Sequence, residues 1–236
     1  MRSAVTEAIS TVLASSVTRI ASWTSTAALA AAFVLAVLGL VLIGQGVWIH
    51  AKAVLAQILL ERAFAQTLAT GKDVKPWSWA DTWPVARIEV PRLGESAIVL
   101  AGSSGQALAF GPGHVERTPA AGEPGTVIYS AHRDTHFAFL ADVGVGDEIR
   151  VTRRDGAVFR YRVTGTSVVR WDASGVDPFA SGRRLVLATC WPLDAKFSGP
   201  LRYLVHAEMM EGGASSSSAA LSARPNSRLP EFGPLD

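Results

Sequence analysis

The chain reads as a mainly β domain of seven or eight short strands, preceded by one apolar N-terminal helix. Three observations lead there. Ala27 to Ile43 is an unbroken apolar run and, with Gly44 to Ile49, is long enough to cross a bilayer. From Val85 onward, short segments alternate apolar and polar residues and are closed by Pro or Gly roughly every ten residues. The only cysteine, Cys190, stands at the end of the apolar run Leu185 to Ala188, next to the breaker Pro192. Many short strands with regular turns argue a closed β-barrel or a sandwich.

Composition narrows the classes. The 236 residues, 49% of them hydrophobic, suffice for one core-forming domain plus accessory segments. Lys and Arg number 22 against 20 Asp and Glu, and the cations are scattered rather than striped among aromatics. No nucleic-acid partner is expected from that pattern. One cysteine excludes an internal disulfide and a Cys-based metal cluster. Neither a metal nor a cofactor is expected.

Residues 1–25 are polar and small, with Arg2 and Arg19 as the side-chain cations, and are expected on the cytoplasmic side. Residues 26–49 are read as an uncleaved transmembrane anchor, with Trp48 at the interfacial end. The competing reading is a signal peptide cut at Ala51-Lys52-Ala53, but the apolar stretch exceeds an ordinary signal core. Residues 50–75 continue as a membrane-proximal helix, because Val54, Leu55, Ile58, Leu59, Arg62 and Ala65 recur at helical spacing and Gly71 stops them. Glu61 and Arg62 form a solvated face. Residues 76–84, with Trp77, Trp79 and Trp83, are a linker expected to pack as an N-terminal arm.

Residues 85–210 hold the strands. Val85 to Val90 alternates and is closed by Pro91, and Ser96 to Leu100 lies between Gly94 and Gly102. Gly111 to His114 and Ala121 to Gly125 are turns. Gly125 to Ala131 is a strand that ends at His132, and Thr135 to Ala141 is one or two helical turns. Asp147 to Arg153 and Val158 to Val169 form a hairpin about Asp155-Gly156. The cysteine strand follows, then a strand carrying Arg202 among apolar residues. Residues 211–236, with their serine run, are expected to be a disordered tail.

A thiol, an imidazole and a guanidinium at strand ends are the parts of a cysteine acyl-transfer site. An unperturbed thiol, near pKa ~8.5, is only a few per cent thiolate at neutral pH, so a neighbouring cation would help. Cys190 is the candidate nucleophile and His132 the candidate acid and base. Arg202 stays protonated, so its expected role is electrostatic, on an oxyanion or a backbone carbonyl. Asp134 is a candidate to orient His132 or receive an amine. Thr189 points away from the cysteine's face by alternation, and its hydroxyl is expected on a neighbouring backbone group. His206 shares the Arg202 strand and is a reserve base; His136 reads as a solvated loop residue and His114 as structural.

Together, Ala131-His132-Arg133-Asp134, Leu187-Ala188-Thr189-Cys190 and Pro200-Leu201-Arg202 resemble the sortases, cell-surface transpeptidases, and most of all the proteobacterial (Gram-negative) type. The resemblance covers roughly Pro76 to Glu208. Two positions depart from the family pattern: Val186 begins the cysteine motif, and Ala131 replaces the usual glycine before the histidine. The resemblance implies a closed barrel with His132, Cys190 and Arg202 as catalytic residues. It also implies cleavage of a sorting motif near a substrate protein's C-terminus, through a thioacyl intermediate passed to an amine acceptor. The lipid bilayer is the third expected partner. The enzyme would be a single-pass protein of the inner (plasma) membrane, its catalytic domain on the outer, periplasmic side. Two other readings stand beside it: a cysteine peptidase that resolves the thioester with water, and a non-catalytic membrane-tethered binding module. In the tail, Leu229-Pro230-Glu231-Phe232-Gly233 looks like a degenerate sorting motif.

Overall fold

The computed structural model describes residues 2–195, 197 and 199–216. The tail segment 229–233 therefore lies outside the described residues. The chain divides into a helical unit, Met1–Leu55, and a second unit, Ala56–Asp236. Helix α1 runs from Arg2 to Thr70, so the polar leader, the apolar stretch and the membrane-proximal segment all share one helix. It carries no proline to interrupt the backbone ladder, and Gly71 closes it at φ 69° by donating to the Thr67 carbonyl. From Ala31 on, α1 is long and apolar enough to cross a membrane, and Phe33, Val34, Leu40 and Ile43 are exposed along it.

The second unit is an eight-stranded closed barrel in the order β1-β2-β3-β4-β7-β8-β6-β5. Its strands are β1 (Pro84–Val90), β2 (Glu95–Ala101), β3 (Gly113–His114) and β4 (Gly125–Ser130), then β5 (Glu148–Arg153), β6 (Ala157–Arg170), β7 (Arg183–Trp191) and β8 (Leu201–Ser216). A four-residue helix α2 (Gly105–Leu108) and a 3-10 turn (Ala138–Asp142) complete it. β2 pairs parallel with β3, and β4 parallel with β7; every other pairing is antiparallel.

Alternate residues turn inward to one core that includes Ile88, Val99, Tyr129, Tyr161, Leu185, Leu187 and Val205. β2 breaks the alternation, since Ile98, Val99 and Leu100 are all buried. Val99 faces the core, while Ile98 and Leu100 lie on the outer face under Leu60 and Phe64 of α1. Glu61, read as part of a solvated face, pairs with Arg87 of β1. The arm 76–84 packs down: Trp77 meets Phe110 edge-on at 4.9 Å, and the Thr82 hydroxyl donates to the Ala101 carbonyl at 2.8 Å.

Two local expectations are corrected. The segment about Gly113, read as a turn only, also supplies β3, which bridges β2 and β4. The tail does not begin at 211, because β8 continues to Ser216 along the start of β6. Gly212 and Gly213, read as part of the disordered tail, form a bulge in β8 instead. Gly212 takes φ 68°, and a side chain on Gly213 would meet the Arg160 carbonyl at 2.9 Å.

Phe64 is only 1% exposed, and Phe64→Ala should cost about 3 kcal/mol in unfolding free energy. Denaturant titration of the detergent-solubilised protein checks this. His114, His136 and His206 all titrate below the ordinary 6.5, with burial as the first cause. The folded state thus resists protonating them while the unfolded chain does not. Stability is therefore complete above 6.5 and is lost as pH falls below that value toward the lowered folded-state pKa values. Melting temperatures at pH 7.5 and pH ~5.5, where the unfolded-state imidazoles are protonated, should fall in that direction.

Candidate active site

β4 and β7 run side by side in the same direction, so both deliver their C-terminal ends to one rim of the barrel. Ser130 pairs with Ala188, and the Ala131 amide donates to the Ala188 carbonyl at 3.1 Å, which carries the ladder one step past β4. His132 follows at the level of Cys190. On the other side of β7, antiparallel β8 sets Arg202 opposite Cys190. The register thus sets the three residues in a transverse row, Cys190 and Arg202 on neighbouring strands and His132 just beyond the end of β4, with strand spacing about 4.8 Å.

Parity puts that row outside the barrel. Leu185, Leu187 and Thr189 turn inward; Val186, Ala188 and Cys190 turn outward, as do Ile128 and Ser130 on β4 and Leu204 on β8. The outward residues floor a groove of about 680 Å³, walled by Trp171, Ser174 and Val176 of the β6–β7 loop and by Ser103 and Leu108. His132, Cys190 and Arg202 all line it. His132 is exposed, Cys190 and Arg202 are half-buried, and Trp171 at the edge is 64% exposed. Such a groove suits an extended peptide, with apolar side chains facing Ile128, Val186 and Leu204.

The remaining candidates fall into place by contact. Arg202 donates through Nη1 to the carbonyls of Gly199 and Leu201, both at 2.9 Å, which holds the guanidinium against its own loop. Thr189 is 2% exposed, and its hydroxyl donates to the Ala131 carbonyl at 2.8 Å. That bond ties the residue before His132 to the residue before Cys190. Asp134 turns to Arg133, with 3.3 Å between its Oδ1 and Nε, and stays largely exposed. His206 lies on the outer face level with Val186, four residues along from the Cys190 rung. That is roughly 13 Å away, and its Nε2 meets the Ser167 hydroxyl at 2.8 Å. His114 packs on Tyr129, with Nε2 between Thr118 Oγ1 and the Pro119 carbonyl. His136 is half-buried rather than solvated, and charge on His132 lowers its pKa further. Among the described residues, no group of three or more His, Cys, Asp or Glu could hold a metal ion.

Sequence reading passed over Arg133. Its side chain is 5% exposed, and its two terminal nitrogens donate to the carbonyls of Pro192 and Phe197, each at 2.9 Å. One planar fork thereby fastens the loop after Cys190 to the loop that carries His132. An arginine beside the histidine was visible in the sequence; its acceptors, two loop carbonyls about sixty residues away, were not. Arg133→Met should loosen that loop, with backbone amides in 192–200 exchanging at least ~10-fold faster if about 1.5 kcal/mol of charged hydrogen bonding is lost. Hydrogen-exchange mass spectrometry checks this against an unchanged rate in β1.

Comparison with known proteins bears on this geometry. A sortase-domain sequence profile matches residues 88–210, more than half of the chain. Sortase D of Bacillus subtilis (strain 168) is 27% identical over 120 residues, 50% of this chain and 60% of the relative. The chain thus spans about three fifths of that curated relative's length. Sortase E from Streptomyces avermitilis is 28% identical, with a TM-score of 0.48 over 61% of this chain and 95% of the other. Sortase C-3 from Streptococcus pneumoniae aligns with a TM-score of 0.52 at 20% identity, over 73% of this chain and 89% of the other, and so shares the fold. A β-barrel with a histidine, a cysteine and an arginine in one groove, matched over most of its length by the sortase profile, makes this chain a member of the sortase family of cysteine transpeptidases.

Proposed function

We propose that the chain is a membrane-anchored cysteine transpeptidase that cuts a sorting motif near a substrate protein's C-terminus and passes the acyl part to an amine. The observation that supports it most is the row His132, Cys190, Arg202 across three neighbouring strands at the end of a peptide-sized groove. In this reading the Cys190 thiolate attacks the scissile carbonyl and forms a tetrahedral oxyanion. Arg202, across the ladder from Cys190, donates to that oxygen once it leaves the Gly199 and Leu201 carbonyls. His132 protonates the departing amine, leaving a thioester on Cys190. An incoming amine then gives a proton to His132 as it attacks, and the thiolate is released. The Asp134 carboxylate accepts from Arg133 Nε rather than from His132 in this arrangement, and its exposed side leaves it open to an incoming amine. Thr189 acts through the backbone by holding the two strand ends in register.

Among the described residues, the lining of the groove lies almost wholly on one side of Cys190, over Ala188 and Val186 of β7. A thioester intermediate has to keep its acyl part bound while amines exchange, so the acyl segment belongs in the groove. Its chain then runs parallel to β7, with the carbonyl end at Cys190. Within the family we favour the proteobacterial type on the sequence motifs, although the relatives compared above come from other bacteria. The apolar part of α1 would anchor the enzyme in the inner membrane, N-terminus inside and barrel outside.

Cys190→Ala should abolish turnover of a Leu-Pro-Glu-Thr-Gly peptide and leave the melting temperature within a degree or two. Mass spectrometry of the wild-type enzyme with that peptide should show a thioacyl adduct, and its decay should quicken with added amine; a decay indifferent to amine would mark a hydrolase. Arg202→Lys keeps the charge but loses the planar fork, and kcat should fall by on the order of 100-fold, about 3 kcal/mol. A loss within a few-fold would reduce Arg202 to a distant charge. N-terminal sequencing of the membrane fraction should find α1 still attached; a start at Val54 would make the apolar stretch a cleaved signal.

A further inference from the structure

A second cavity adjoins the groove, and the proposed chemistry does not use it. It measures about 370 Å³ and shares Ser174, Val176 and Val186 with the groove. Its other lining residues include Asp177, Arg184, His206 and Glu208. The two cavities therefore follow each other along the outer face of β7 and β8. Four cross-strand pairs mark the path: Cys190 with Arg202, Ala188 with Leu204, Val186 with His206, and Arg184 with Glu208. The path opens at the reactive rung, is apolar in the middle and is charged at its far end.

Its far wall is fixed. The β6–β7 loop is pinned to the start of β4 by the Thr126 hydroxyl to the Asp177 carbonyl at 2.9 Å. The Thr126 amide to Pro178 at 2.9 Å and the Gly125 amide to Gly182 at 2.8 Å add to it. Loop residues Ser174 to Asp177 thus stand as a built side of the cavity. The ionised groups there are unequal in sign. Arg184 lies 3.3 Å from Glu208, while among the described residues the Asp177 carboxylate accepts only the Phe179 amide, at 2.9 Å. Two carboxylates and one guanidinium line the cavity; Arg162, opposite Glu208 on β6, is not part of the lining and turns its Nη1 to the Gly146 carbonyl. The His206 imidazole, whose pKa burial lowers, adds no charge near neutral pH.

Arg184 precedes Cys190 by six residues, so the path is about 20 Å long, and an extended peptide needs six residues to cover it. Four acyl-side residues of a sorting motif span only about 13 Å, from Cys190 to the rung of Val186 and His206. There the groove gives way to the second cavity. We propose that substrate residues just N-terminal to the sorting motif enter this cavity, and that Asp177 and Glu208 select a lysine or arginine there. The selected side chain is the sixth residue back from the thioester carbonyl, give or take one. This rests on the acyl-transfer reading and adds a specificity subsite upstream of the motif to it.

The test uses the full-length protein in detergent and three peptides with the same Leu-Pro-Glu-Thr-Gly motif. One carries lysine at the sixth position, one glutamate, and one is truncated before the motif. The lysine peptide should exceed the glutamate peptide in kcat/KM by on the order of 10-fold at low salt, the difference lying in KM. Asp177→Lys should reverse the order of those two and leave the truncated peptide unchanged. Equal kcat/KM for the lysine and glutamate peptides, with both turned over, overturns the subsite and leaves the transpeptidase reading standing. Failure to turn over any peptide counts against the catalytic reading instead. The subsite is then decided by fluorescence anisotropy on Cys190→Ala, which needs no chemistry: lysine-over-glutamate preference supports it, and equal affinities overturn it.

Discussion

The parallel pairing of β4 with β7 is the constraint on which the rest of the structure depends. Two parallel strands cannot be joined by a tight turn, so the chain must cross over between them. The crossover carries β5 and β6, which pair with β1 and β8 and close the barrel. It also carries the loop between β6 and β7, which becomes the wall of the groove. Because the two strands run the same way, both end at one rim. An antiparallel arrangement would send His132 and Cys190 to opposite ends of the sheet.

Side-chain parity then divides the work on each strand. On β7, Leu187 packs in the core while its neighbours Val186 and Ala188 floor the groove. A shift of register by one residue would bury the thiol and expose the leucines, and the apolar core resists that. The buried Thr189 hydroxyl and the Arg133 fork act at the edges of this arrangement. The first ties two strand ends together, and the second fixes the loop that begins just beyond the thiol. Neither touches the groove's contents as a reactant. Both keep the proposed reactive row in line, at the precision that acyl transfer demands.

Charge is arranged differently along the same face. Near Cys190 the cation is Arg202, held by neutral carbonyls and free of any carboxylate partner among the described residues. Six residues back along β7, Arg184 is offset by Glu208, and Asp177 tips the balance negative. The proposed oxyanion and the proposed upstream cation would therefore meet opposite fields at opposite ends of one groove. That polarity matches a substrate that can lie in one direction only.

The sequence by itself determined the apolar helix, the run of short strands and the three chemistry-bearing residues. Each of those signals is local: an apolar stretch, a period of two, a lone cysteine between a strand and a proline. It also placed Thr189 and Cys190 on opposite faces, since alternation needs no partner. The tertiary structure alone decided what depends on distant partners. The continuous burial of Ile98 to Leu100 follows from α1 covering the outer face of β2, and no pattern within β2 could announce it. The extension of β8 through Gly212 and Gly213 follows from β6 offering a free edge, although the glycines alone read as a break. Asp134 and His206 stand at plausible spacings, yet they turn to Arg133 and Ser167. Hydrogen bonds are made to whatever the fold brings within 3 Å or so, and a sequence lists residue types and spacings without saying which of them will meet.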